Sequence, residues 1–156
     1  MTRSSNDLAL RVSSLEVSFV DSDGSLGVLD KISFSVERNA FVCIVGPSGG
    51  GKSTLLRAVA GLIQPTGGTV EFPGAEEGKS RTGLVFQKPN LLPWRTLQEN
   101  ISLPLEIARR PEAEIAAFTQ EMIRLVGLEG FEKSYPHELS GGMAQRAAIA
   151  RCLVQD

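Results

Sequence analysis

The chain has 156 residues, 42% of them hydrophobic and 22% charged, with a formal net charge of -2 at pH 7. These are the proportions of one ordinary globular domain, long enough to bury a core without disulfides or metals. They exclude a basic nucleic-acid binder, and no apolar run reaches the ~20 residues that cross a bilayer.

The polar start, Met1 to Asp7, predicts no secretory leader, and the two cysteines, Cys43 and Cys152, sit among apolar neighbours as expected of buried, reduced thiols. The expected compartment is the cytosol. Leu8 to Phe19 is rich in β-branched and apolar residues that partly alternate, which predicts a strand. Asp21 to Ser25 reads as a turn, and Val28 to Val36 as the second strand of a small antiparallel sheet. Phe41 to Val45 is a short continuous apolar run, the pattern of a strand buried on both faces in a parallel sheet. Glycines follow, and Ser53 to Leu62 then predicts a helix ended near Gly61 and Pro65. Thr69 to Phe72 and Thr82 to Gln87 are further strand candidates, separated by a charged turn from Ala75 to Arg81. Pro111 to Val126 is helical in pattern: Pro111 suits a first turn, Ile115, Phe118, Met122 and Ile123 share one side, and Gly127 is placed to cap the end. A last helix is expected from about Gly141. This order of elements predicts class α/β.

The run Gly46-Pro47-Ser48-Gly49-Gly50-Gly51-Lys52-Ser53, followed by Thr54, lies between the Phe41 to Val45 strand candidate and a helix, the context a phosphate loop requires. Glycines at 46, 49, 50 and 51 permit positive φ and a close approach of backbone to ligand. Successive N–H groups then form a nest for an anion, and the helix start adds the positive end of its dipole. Lys52 supplies a point charge for the β- and γ-phosphates, and the Ser53 hydroxyl can ligate Mg²⁺. The cofactors expected are therefore ATP and Mg²⁺.

In the second half, Leu139-Ser140-Gly141-Gly142-Met143-Ala144-Gln145 resembles the signature of ABC-type ATPases, the motor subunits of ABC transporters. Alone, a serine and two glycines before a helix make an N-cap as readily as a phosphate site. Its place ~90 residues after the phosphate loop, followed by Gln145-Arg146 and an alanine-rich helix, favours the signature. The resemblance spans about Leu8 to Asp156. It implies a P-loop NTPase core of ABC-ATPase type with an antiparallel β subdomain and a helical subdomain, C-terminally incomplete. Within one partial ATP-binding domain over 1–156, residues 8–87 would form the phosphate-loop core and β subdomain, 88–140 the Q-loop and helical subdomain, and 139–156 the signature and its helix. In the family the signature closes on a nucleotide held by a partner subunit, so Ser140, Gly141, Gly142 and Gln145 are nucleotide-contact candidates. The implied partners are a homodimer mate or second ATPase subunit, a transmembrane permease and, indirectly, a solute-binding protein, with no nucleic acid. The implied location is cytoplasmic, peripheral on the inner face of the cell membrane.

Gln87 is placed like the family's Q-loop glutamine, a neutral amide that contacts Mg²⁺ or orients the attacking water. Phe19 is placed like the aromatic that stacks on adenine, with a core phenylalanine at a strand end as the competing reading. The segment Lys88 to Leu105, with Leu91-Leu92-Pro93-Trp94, Asn100 and Leu103-Pro104-Leu105, is similar to importers of nitrate, sulfonate and taurine. Trp94 would be either an anchor for the membrane partner or a filler of the subdomain core. The sole histidine, His137, precedes the signature and is expected to be a capping or surface group. No coiled-coil or zinc insertion separates the loop from the signature, which disfavours an ABC-type ATPase of DNA repair. The family continues after the signature helix to an apolar strand ending in Asp-Glu, and these 156 residues contain none. The expectation is a chain that binds ATP weakly, hydrolyses it hardly at all and exposes apolar surface of its sheet and helices. A non-catalytic nucleotide-binding or interaction module is the alternative.

Overall fold

The computed structural model describes residues 7–21, 24–74 and 82–154, divided into two units, Met1–Thr82 and Gly83–Asp156. In the first, β1 (Leu8–Asp21) pairs antiparallel with β2 (Gly24–Glu37) and with β3 (Gly67–Glu71), in the order β2-β1-β3. The inward residues Val12, Leu15 and Val17 break strict alternation. A bulge resolves this: the register shifts between Val12 and Leu15, with Ser14 at φ 46° and its N–H donating to Ser33 Oγ at 2.8 Å. One extra residue thus returns the side chains to the core face, where they join Leu29 and, from α1 (Lys52–Val59), Leu55 and Ala58. Helix α1 stops at Val59, three residues short of the expected Leu62, and Gly61 closes it as its position predicts. Gly61 takes φ 72°, its N–H donates to Ala58, and the Leu62 N–H donates to Arg57, satisfying carbonyls the helix leaves open.

The second unit contains α2 (Leu97–Ile107), α3 (Glu112–Leu125) and α4 (Gly141–Leu153) around Leu97, Ile101, Leu105, Ile123, Leu128, Ala147, Ala150 and Val154. Gly127, at φ 62°, closes α3 as its sequence position predicts, and buried Leu128 follows. On α3, Ile115, Met122 and Ile123 face the core, but Phe118 is half-exposed and Thr119 is buried instead. The buried stripe of the helix is therefore rotated by one position from the predicted one.

Three expectations need correction. Phe41 to Val45 is not a buried strand: it belongs to no sheet among the described residues, and Phe41 is 94% and Val45 87% exposed. Thr82 to Gln87 likewise enters no ladder among the described residues. The physical reason is that a parallel strand takes its hydrogen bonds from segments far away in sequence, and the one sheet described is antiparallel. Cys43, in the first of these segments, is consequently exposed, and Cys152 is half-buried. The predicted turn at Asp21 to Ser25 lies partly, and the charged turn from Ala75 to Arg81 wholly, outside the described residues.

Candidate nucleotide-binding site

The phosphate loop belongs to the first unit. Gly46 to Gly50 is exposed, and Gly49 and Gly51 adopt left-handed φ of 80° and 77°. Gly51 is the N-cap of α1, accepting from the Leu55 N–H at 2.8 Å, and it packs tightly on β2: a Cβ there would stand 2.9 Å from Leu29 Cδ2 and 3.0 Å from the Val28 carbonyl oxygen. Both the backbone dihedral and the close approach require glycine. The Gly50 N–H donates to Pro47 O at 3.2 Å and turns the loop. Half-buried Lys52 folds back over it, its ammonium donating to the carbonyls of Gly46 at 2.9 Å and Pro47 at 2.6 Å. A cation is thus already seated inside the loop, at the first residue of a helix whose opening N–H groups lack intrahelical partners. Ser53 is exposed beside it and Thr54 half-buried.

These features fit a triphosphate: exposed backbone, a lysine in place and a helix start behind it. Among the described residues no group of three or more His, Cys, Asp or Glu could hold a metal ion; exposed Ser53 is the protein oxygen beside Lys52 that would meet a phosphate-bound Mg²⁺. Phe19 is half-exposed on β1, opposite exposed Leu26 on β2. The phenylalanine ring is therefore not a core filler and presents an apolar face on the hairpin whose second strand abuts Gly51.

The second unit holds Gln87 and the signature. Ser140 caps α4, its Oγ accepting from the Met143 N–H at 3.3 Å, and Gly141 and Gly142 are exposed with no atom within 4 Å of an added Cβ. Gln145 is half-buried, and its side-chain amide donates to Phe86 O at 3.2 Å, directly before exposed Gln87. Arg146 donates to the carbonyls of Val126 at 2.6 Å and Gly127 at 3.1 Å, closing the end of α3. His137 lies on a 3₁₀ turn, Pro136–Glu138, stacked on Tyr135 with centroids 6.0 Å apart, and the Glu138 carboxylate accepts from the Tyr135 N–H at 2.6 Å.

Sequence reasoning missed α2 and the work of Asn100 on it. Fully buried Asn100 accepts from the Leu92 N–H at 2.7 Å and donates to the carbonyls of Leu92, Arg95 and Thr96 at 3.1, 3.0 and 2.9 Å. This one side chain ties down the turn that carries Trp94, which is 71% exposed and so does not fill the core. A local signal for α2 exists: Thr96 and Glu99 form a capping box, in which each side chain accepts from the other's backbone N–H. The Thr96 backbone and hydroxyl hold the Glu99 carboxyl below its ordinary 4.5. Partial burial pushes Glu106 up, but donation from Ser102 and Arg95 outweighs it and the net shift is downward. Arg95 bridges to Glu106 at 2.8 Å and also reaches Glu99 O, which braces the same turn.

The ABC transporter family profile matches residues 29–156. The chain is 45% identical over 150 residues to an uncharacterized ABC transporter ATP-binding protein of Methanocaldococcus jannaschii, covering 94% of this chain and 56% of the relative. It is 43% identical over 151 residues to an aliphatic sulfonates import ATP-binding protein of Bacillus thuringiensis, covering 94% and 59%. It therefore spans somewhat over half the length of these relatives. Among solved structures it resembles a dimeric ATP-binding cassette in a post-hydrolysis state bound to ADP and Pi, with a TM-score of 0.80 at 31% identity, over 93% of this chain and 69% of that one. The matched span includes the phosphate loop and the Ser140-Gly141-Gly142 helix start, and the chain belongs to the ABC transporter family of ATP-binding proteins.

Proposed function

We propose that the chain binds MgATP through Gly46 to Thr54 as the ATP-binding part of an ABC importer for a small solute. The observation that carries this reading is the loop geometry, with left-handed Gly49 and Gly51 before α1 and the Lys52 ammonium seated on the Gly46 and Pro47 carbonyls. Lys52 would exchange those carbonyls for phosphate oxygens as its acceptors, and the loop N–H groups would donate to the same phosphates. The exchange favours nucleotide because a charge-assisted bond to phosphate is stronger than one to a neutral carbonyl. Mg²⁺ supplies positive charge to the phosphate oxygens, and Ser53 would hold it from the protein side. Phe19 offers its exposed ring to the adenine, and Gln87 is assigned to Mg²⁺ and the attacking water.

Relatives named for the import of aliphatic sulfonates, nitrate and taurine support a small oxyanion or sulfonate as the solute. The dimeric cassette supports pairing with a second ATPase subunit, on whose nucleotide Ser140, Gly141 and Gly142 would close. No helix among the described residues is long and apolar enough to cross a membrane. The relatives named for import support attachment to the inner membrane face through a permease, with exposed Trp94 as the anchor, and the solute-binding protein would act only through that permease. A second reading, binding without turnover by residues 1–156, is favoured by Phe41 to Val45 and Thr82 to Gln87 lying outside any sheet among the described residues. Titration of the purified chain with MgATP in a calorimeter tests the function. Lys52→Ala is expected to weaken binding at least about tenfold, the loss of one charge-assisted contact. Equal affinity of the two proteins, or no heat from either, would sink the reading.

A further inference from the structure

We propose that Arg151 and Gln145 are positioning residues for Gln87, so that α4 and the Gln87 segment form one rigid piece. The segment from Gly83 to Asn90 has no strand partner among the described residues, yet α4 grips it at four points. Gly83 lies so close to Cys152 Sγ that a Cβ at position 83 would overlap the sulfur. The Gln145 amide donates to Phe86 O at 3.2 Å. The Arg151 guanidinium donates to Pro89 O at 3.1 Å through Nη2 and to Asn90 O at 3.0 Å through Nη1. Gln145 and Cys152 are seven residues apart, two turns on one face of the helix, and Arg151 adjoins them. The contacts therefore bracket Gln87 and Lys88 from both sides.

The chemistry is specific to these residue types. Successive carbonyls of an extended chain point in opposite directions and cannot both meet one guanidinium. Asn90 sits at φ 49°, and this left-handed residue turns the chain at the point where two adjacent carbonyls meet the planar fork. A lysine in place of Arg151 keeps the charge but offers no fork. The Ser140-Gly141-Gly142 start and the Gln87 segment are thereby attached to the same helix. A displacement of α4 when its N-terminus meets a phosphate is passed to Gln87 without any further element. This rests on the role proposed for Gln87 above.

The experiment uses the full ¹⁵N-labelled chain and its Arg151→Ala, Arg151→Lys and Gln145→Leu variants. Without nucleotide, backbone order parameters at Gln87, Lys88 and Asn90 are expected to fall in Arg151→Ala from about 0.85 towards 0.6, while α2 and α3 keep theirs. Arg151→Lys, which keeps the buried stem and charge, is expected to show about half the fall and serves if the alanine variant does not fold. Unchanged order parameters in both Arg151 variants would overturn the proposal. With ATP as the probe, Arg151→Ala and Gln87→Ala are each expected to weaken binding about three- to tenfold in Mg²⁺ and not in EDTA, and the double variant to be no weaker than the single ones. Additive losses, or an equal loss in EDTA, overturn the positioning role. If Gln87→Ala is silent in Mg²⁺ while the order parameters respond to Arg151→Ala, the role of Gln87 in the proposed function fails and the positioning stands.

Discussion

Gly51→Ala, Gly49→Ala and Gly46→Ala form a graded test of whether the cradle works through its backbone geometry. Gly51 holds φ at 77°, which costs an L-residue about 1–2 kcal/mol, and its Cβ would press on the backbone oxygen of Val28, adding an overlap of roughly 1–3 kcal/mol. Gly49 at φ 80° carries the dihedral cost alone, since nothing lies within 4 Å of its Cβ. Gly46 carries neither, its nearest neighbour being Lys52 Cδ at 4.0 Å. Because Gly46 to Gly50 is exposed, the loop can shed strain by leaving the cradle geometry, and apparent affinity then falls in proportion to the fraction that remains competent. At about 1.4 kcal/mol per factor of ten, Gly51→Ala should bind MgATP weaker by roughly 30-fold to several thousandfold, Gly49→Ala by roughly 5- to 30-fold, and Gly46→Ala by less than about threefold. Calorimetric titration at fixed salt reads these ratios directly. Equal losses at 46 and 51, or the reverse order, would show that glycine geometry does not set phosphate affinity here.

Asn100→Ala removes a buried side chain whose oxygen accepts one hydrogen bond and whose two amide hydrogens are shared among three carbonyls, and is expected to destabilise the helical unit by about 2–4 kcal/mol. Urea unfolding followed by Trp94, which lies in that unit, measures it, and a faster depolarisation of Trp94 in the folded variant would report the loosened turn. Glu99, Glu106 and Glu132 all have carboxyl groups held below the ordinary 4.5 in the folded chain. Their contribution to stability is therefore complete above pH 4.5 and is lost as pH falls through the lower folded values. Glu99→Gln should weaken the helical unit at pH 7 and make little difference at pH 2, and a constant effect across that range would contradict the assignment. Phosphate release by purified 1–156 is expected to be indistinguishable from that of Lys52→Ala; release that Lys52→Ala abolishes would refute the reading of binding without turnover.

Much of the site was legible because its determinants are local. Gly49 and Gly51 hold dihedrals that other residues resist, and Ser140 before two glycines encodes a helix cap, so the turn and the cap were found where the chain places them. The antiparallel hairpin, α1, α3 and α4 were likewise written in apolar spacing and in stop residues such as Gly61 and Gly127. Helix α2 was hidden by Pro104 in its last turns, although the Thr96 and Glu99 capping box marks its start. What only the tertiary structure decided concerns partners distant in sequence. The apolar runs at 41–45 and 82–87 look like strands, but a strand exists only where another chain segment accepts its hydrogen bonds. In the same way nothing near Arg151 or Asn100 announces which carbonyls they hold, 61 and 8 residues away for Asn90 and Leu92 respectively. Local dihedral preference wrote the glycine turn at Gly49 and Gly51 into the sequence, whereas the contacts on either side of Gln87 arise only when folding brings α4 against a segment that enters no sheet among the described residues.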